Sequence, residues 1–108
     1  MPRPAASPET DVQEQDRLVP LYHVVLLDDN EHTYDYVIEM LERLFLFSRT
    51  EAFRHAVEVD TTGRTIVITC ELPHANFARD QIHGYGPDRR MPNSKGSMSA
   101  QVEPAAPA

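Results

Sequence analysis

Three consecutive acceptor-rich residues, Asp28, Asp29 and Asn30, interrupt the most strongly patterned stretch of the chain, YHVVLLDDNEHTYDYVIEMLERLF over 22–45. None of them packs in an apolar core, so their oxygens are held at its rim. Oxygens placed this way suit a cation. Together with Glu31 and Asp35 they could ligate a hard metal such as Ca²⁺, although the spacing lacks the alternating positions and turn glycine of an EF-hand loop. An acidic pair after a strand also occurs in phosphoacceptor receiver domains. That chemistry needs five βα units, a further Asp at the end of a later strand and a lysine near the phosphate. Here the later strand ends Thr69-Cys70-Glu71 and the single lysine is Lys95. A third reading gives the turn no ligand, only helix-dipole and capping duties in solvent.

Other reactive side chains offer less. Cys70 is the only cysteine, which excludes an internal disulfide, and it reads as a small buried hydrophobe with no activating neighbour fixed beside it. No two histidines stand four apart, so His32 and His55 read as surface residues rather than metal ligands. Arg89-Arg90 is too short a run for a nucleic-acid patch.

The elements that position the acidic turn follow from period and punctuation. An apolar, valine-containing run predicts a strand at about 21–27. Thr33 is placed to cap a helix over about 33–46, written by Val37, Ile38, Leu41, Leu44 and Phe45 at 3.6-residue spacing. Ser48 and Glu51 have capping-box spacing and open a second helix, with Ala52, Phe53, Ala56, Val57 and Val59 as its stripe. Phe45, Phe47 and Phe53 are expected in the core. Asp60-Thr61-Thr62-Gly63 reads as a turn, and RTIVITC over 64–70 as a second strand. Pro73 suits the first turn of a third helix, whose inner face is marked by Phe77, Ala78, Ile82 and Tyr85, and which Gly84, Gly86 and Pro87 stop. Residues 88–96 form a loop. Met98, Ala100 and Val102 then alternate with polar residues as a last strand, ended by Pro104. The order is β-α-α-β-α-β, an α+β domain with a three-stranded sheet and three helices on one face.

Composition narrows the class. Ten basic against seventeen acidic residues give a net charge of −7 over 108 residues, a balance that disfavours phosphate backbones and anionic lipid. No nucleic-acid or membrane partner is expected. No apolar run approaches the ~20 residues of a membrane span, and no signal-peptide core opens the chain, so the expected location is cytoplasmic. Residues 1–20, rich in proline and charge, are expected to be a disordered arm, 21–104 the domain, and 105–108 a disordered tail.

The stretch from Tyr22 to Phe45 resembles the opening of ClpS, the adaptor family of the Clp protease: an apolar strand, an Asn-Asp-Asp-type turn and a helix. The likeness continues through the second helix, the Val59-Asp60-x-x-Gly63 turn, the IVIT strand and Glu103-Pro104-Ala105, covering about 21–105. It implies a βααβαβ fold similar to the C-terminal domain of a ribosomal stalk protein. It also implies a binding module with no catalysis and no cofactor. Members recognise the N-terminal residue of a degradation substrate (an N-degron) and hand it to a hexameric AAA+ unfoldase of the ClpA or ClpC class. A free α-amino group is a cation with three donors, so it wants several acceptors converging at one point beside an apolar hole for the side chain.

Residue by residue, the resemblance makes Asp28, Asp29 and Asn30 amine-binding, with Asp28 where the family usually has Asn and Asn30 where it usually has Asp. Asp60 falls where a histidine also contacts the amine. His32 and Tyr34 fall where Thr and a gate-like Met are usual. Val37, Ala56, Val59 and Met98 line the hole, Ala56 replacing a larger Met. The site is therefore more anionic at position 60, carries a rigid ring at its gate and has lost volume at position 56. Pro73 and Ala78 stand where the family often has a Glu and a Lys that help to dock the unfoldase. Two alternatives stay open: a protein-interaction module that kept the fold without N-end recognition, and a cation-responsive signalling domain built on the Asp28-Asp29-Asn30 turn.

Overall fold

The computed structural model describes residues 19–105. The arm expected at 1–20 and the tail at 105–108 fall almost wholly outside them. The elements are β1 (Leu21–Leu27), α1 (Tyr34–Phe45), α2 (Arg49–Thr62), β2 (Arg64–Glu71), α3 (Leu72–His83) and β3 (Ala100–Pro104). The sheet order is β2-β1-β3, and both pairings are antiparallel. This is the expected α+β arrangement, with the helices on one face. A receiver domain's parallel βα repeat is ruled out by it.

β1 is the centre because it is the most apolar strand. Val24, Val25 and Leu26 have no exposed surface, and complete burial of each such side chain stabilises the fold by about 1.5–3 kcal/mol. α1 adds Val37, Ile38, Met40 and Leu41 to the core cluster that holds Val24 and Leu26. The other helices contribute mostly small residues to that core: Ala52, Ala56 and Val59 from α2, and Ala75, Ala78 and Ile82 from α3. Small side chains let both helices seat closely over bulkier neighbours at interior packing density.

Both expected caps form. The Thr33 hydroxyl accepts from the Tyr36 amide and the Ser48 hydroxyl from the Glu51 amide. Four expectations need correction. Asp60-Thr61-Thr62 is not a turn but the last turn of α2, because Gly63 alone takes the left-handed cap at φ 91°. The Thr61 and Thr62 hydroxyls meanwhile donate back to helix carbonyls at Val57 and Glu58. Phe53 and Phe77, expected in the core, are 48% and 61% exposed, since the alanines beside them carry the buried faces. Met98 is buried but precedes β3, beside Ser99, whose carbonyl accepts from the Leu27 amide. His55 is half-buried rather than on the surface. Its ring stacks on Phe47 and its Nδ1 meets the Thr65 hydroxyl at 2.8 Å, and burial lowers its pKa.

β2 carries a bulge. Val24 pairs with Ile68 but Val25 with Ile66, so Val67 is an extra residue. Parity switches there, which lets Val67, Ile68 and Cys70 all join the helix side.

Leu46, the cap of α1, sits in the left-handed region at φ 57° and is 86% exposed. A branched side chain is strained there and gains nothing from packing. Leu46→Gly is therefore expected to raise stability by about 0.5 kcal/mol in urea unfolding despite the added freedom of the unfolded chain.

Candidate functional site

The acidic turn between β1 and α1 divides its side chains between structure and solvent. Asp29 is committed to structure: its Oδ1 accepts from the Glu31 amide at 2.9 Å and lies 2.7 Å from His32 Nδ1. His32 is not a surface residue. Its side chain is 3% exposed, its Nε2 lies 2.7 Å from the Gly96 carbonyl, and its ring packs 4.5 Å from that of Tyr36. The imidazole thus ties the turn to the loop before β3. Asn30 and Asp28 remain exposed. The Asp28 amide donates to the Gly63 carbonyl at 3.0 Å, which fixes the end of β1 against the C-terminus of α2.

Asp60 stands one turn back from that junction, exposed on α2. The Tyr34 hydroxyl donates to its Oδ2 at 2.7 Å, so the first residue of α1 spans to the last turn of α2. The Tyr34 phenol pKa is raised, chiefly by this hydrogen bond, then by burial and by the negative charges of Asp60 and Asp28. Its ring stands edge-on to Phe53 with centroids 6.0 Å apart. On that side lies a groove of about 470 Å³ lined by Tyr34, Asp35, Ile38, Arg49, Thr50 and Phe53.

Val37, Ala56, Val59 and Met98 come together in the same core cluster at 4, 1, 2 and 2% exposure. They are covered rather than open, and the groove beside Tyr34 is lined by other residues. Of the residues singled out in the sequence, Asp28, Asp60 and Tyr34 gather at one place and these four gather in the core. Asp29 and His32 belong to the scaffold of the turn.

The residue missed in the sequence is Asp88. Its carboxylate is almost fully buried, yet it accepts from the Thr33 amide and hydroxyl at 2.7 and 2.8 Å and from the Arg90 amide and guanidinium at 2.9 and 3.3 Å. Burial opposes its ionisation, but these hydrogen bonds outweigh that cost and hold the carboxyl below its ordinary pKa. Its own amide donates to the Ser94 hydroxyl. Asp88 thereby fixes the 86–97 loop to the cap of α1, next to the acidic turn. Arg90 extends the link to Glu39 on α1 at 2.6 Å.

A second groove, about 530 Å³, runs between α1 and the segment after α3, with Arg43, Arg89 and Arg90 around Tyr36 and Tyr85. Among the described residues no three His, Cys, Asp or Glu side chains come together in a way that could hold a metal ion. No helix among them is long and apolar enough to cross a membrane.

The family model described as ATP-dependent Clp protease adaptor protein ClpS matches residues 17–92. The chain is 29% identical over 98 residues to the ATP-dependent Clp protease adapter protein ClpS of Synechococcus elongatus, covering 90% of each chain. It is 31% identical over 70 residues to the protein of the same name from Gloeobacter violaceus, covering 64% of this chain and 75% of that one. Among solved structures, Agrobacterium tumefaciens ClpS2 bound to L-phenylalaninamide superposes with a TM-score of 0.69 at 22% identity, over 80% of this chain and 98% of that one. That last likeness concerns the fold.

Proposed function

The chain belongs to the ClpS family of ATP-dependent Clp protease adaptors, and on that premise we propose that it binds the N-terminal residue of degradation substrates and delivers them to a Clp-type AAA+ unfoldase of the ClpA or ClpC class. The protein carries out no chemistry on the substrate, uses no cofactor and works in the cytoplasm. Asp28 and Asp60, with Asn30 beside them, receive the ammonium. Tyr34 gates the side chain, which is admitted toward Val37, Ala56, Val59 and Met98.

The observation that supports this most is the hydrogen bond from the Tyr34 hydroxyl to Asp60, on a phenol that also feels the negative charge of Asp28. An exposed carboxylate already engaged by a hydroxyl donor is suited to a better one, and an ammonium offers three N–H groups and a full charge. A phenylalanine derivative with a free amine, the ligand of the Agrobacterium structure, combines those same two features. Asp29 is spent on the hydrogen bonds that hold the turn.

Fluorescence anisotropy against twenty peptides that differ only in residue one, each paired with its N-acetylated form, tests the reading. Selective binding that acetylation weakens by at least about tenfold, the factor of one charge-assisted hydrogen bond, is expected. Binding that survives acetylation removes the amine site. The burial of Val37, Ala56, Val59 and Met98 favours one competing reading, an interaction module that kept the fold without N-end recognition, and flat results across all twenty pairs would select it.

A further inference from the structure

We infer that the Tyr34 hydroxyl is a latch: it holds the Asp60 carboxylate until an N-terminal ammonium takes it over, and the exchange frees the ring to uncover the side-chain hole. The inference rests on the N-terminal-residue reading above and names how that site decides what to admit. Three observations carry it. The hydroxyl and Asp60 Oδ2 are 2.7 Å apart, bridging α1 and α2. Val37, Ala56, Val59 and Met98, which the proposed reading makes the side-chain hole, are at most 4% exposed. The ring, itself 38% exposed, already leans edge-on toward Phe53 beside a groove shared with Ile38, which gives it an apolar surface to withdraw onto.

The chemistry of the exchange is a competition for one acceptor. A neutral phenol offers Asp60 a single O–H; an ammonium offers three N–H donors and a positive charge, and charge-assisted hydrogen bonds are the stronger class. A ligand shifts such an equilibrium only by its differential affinity for the two arrangements. A side chain within a chain, or one behind an acetylated amine, brings nothing that Asp60 prefers to the phenol. It therefore meets a covered hole as well as an unfavourable amine site. Admission of the side chain is thereby coupled to recognition of the amine, and Tyr34 is the specificity-determining residue that couples them.

Tyr34→Phe keeps the ring and removes the latch. Across the peptide pairs it is expected to tighten binding of the free-amine forms by about three- to tenfold, the equilibrium factor of one net hydrogen bond. With ¹³C-labelled tyrosine in the wild-type protein, the Tyr34 Cζ resonance is expected to move when a free-amine peptide is added and to stay put with its acetylated partner. Unchanged or weaker affinity in Tyr34→Phe, or a Cζ resonance that does not move while peptide binds, overturns the latch and leaves the amine site standing. Loss of acetylation-sensitive binding from both proteins overturns the latch and the amine site together.

Discussion

Asp88→Ala is expected to destabilise the domain by about 2–4 kcal/mol, among the largest effects of any single substitution outside the apolar core. The carboxylate accepts two hydrogen bonds from Thr33 and two from Arg90. Removing it strands the part-buried Thr33 amide and loosens the hydroxyl that caps α1, which donates to Asp88 while a lone pair faces the Tyr36 amide. For a domain of this size each kcal/mol shifts the thermal midpoint by about 4–8 °C, so a fall of about 8–32 °C is the expected readout. Acidification gives a second check. The Asp88 carboxyl has a folded-state pKa below its unfolded value. Its stabilisation is therefore complete above the ordinary carboxylate range and is lost as pH falls through the folded value. The gap between wild type and Asp88→Ala should be constant near neutrality, begin to narrow below about pH 4 and go on closing as pH falls through the lowered folded-state value. A gap that persists there would assign the loss to packing rather than to the charge.

Why Asp88 escaped a reading of the sequence is clear from its partners. Thr33 lies 55 residues away, and residues 88–96 have no period from which burial of a carboxylate can be inferred. The features that were legible are local: the apolar run of β1, the 3.6-residue stripe of α1, and the Thr33 and Ser48 caps, each of which acts within one turn. The βααβαβ order follows from them. Features that depend on what lies opposite were not legible. The bulge at Val67 cannot be seen in RTIVITC, because β-branched residues suit either parity, and only the pairing with Val24 and Val25 shows the switch. Phe53 and Ala52 are adjacent, and apolar content alone does not say which of them the close approach of α1 selects.

The same division holds at the candidate site. Asp28 and Asn30 stood out because polar residues cannot continue a buried strand, and Tyr34, Val37, Ala56, Val59, Asp60 and Met98 came from resemblance to ClpS. The hydrogen bond between Tyr34 and Asp60 spans 26 residues and two helices. Neither residue announces the other. Their coupling is what makes the site of this chain more than a list of substituted positions.

Asp60→Ala is expected to weaken binding of free-amine peptides by about 10- to 100-fold, the range of one hydrogen bond to a charged group. Two terms contribute with opposite signs. The ammonium loses an exposed charged acceptor, which costs affinity. Tyr34 loses its partner at the same time, which removes the competitor and returns part of that cost. Asp28→Asn is the milder comparison, because an amide oxygen still accepts where the carboxylate did and only the charge is lost. At an exposed position salt screens that charge, so the Asp28 contribution should shrink between low and physiological ionic strength while most of the Asp60 contribution survives. A double-mutant cycle separates the opposing terms. If the hydroxyl acts through Asp60, the gain produced by Tyr34→Phe in the wild-type background vanishes in the Asp60→Ala background, and the double variant binds as the single Asp60→Ala variant does. If the gain persists without Asp60, the ring blocks the hole by bulk alone. The gate would then be steric, and its opening would be indifferent to the amine.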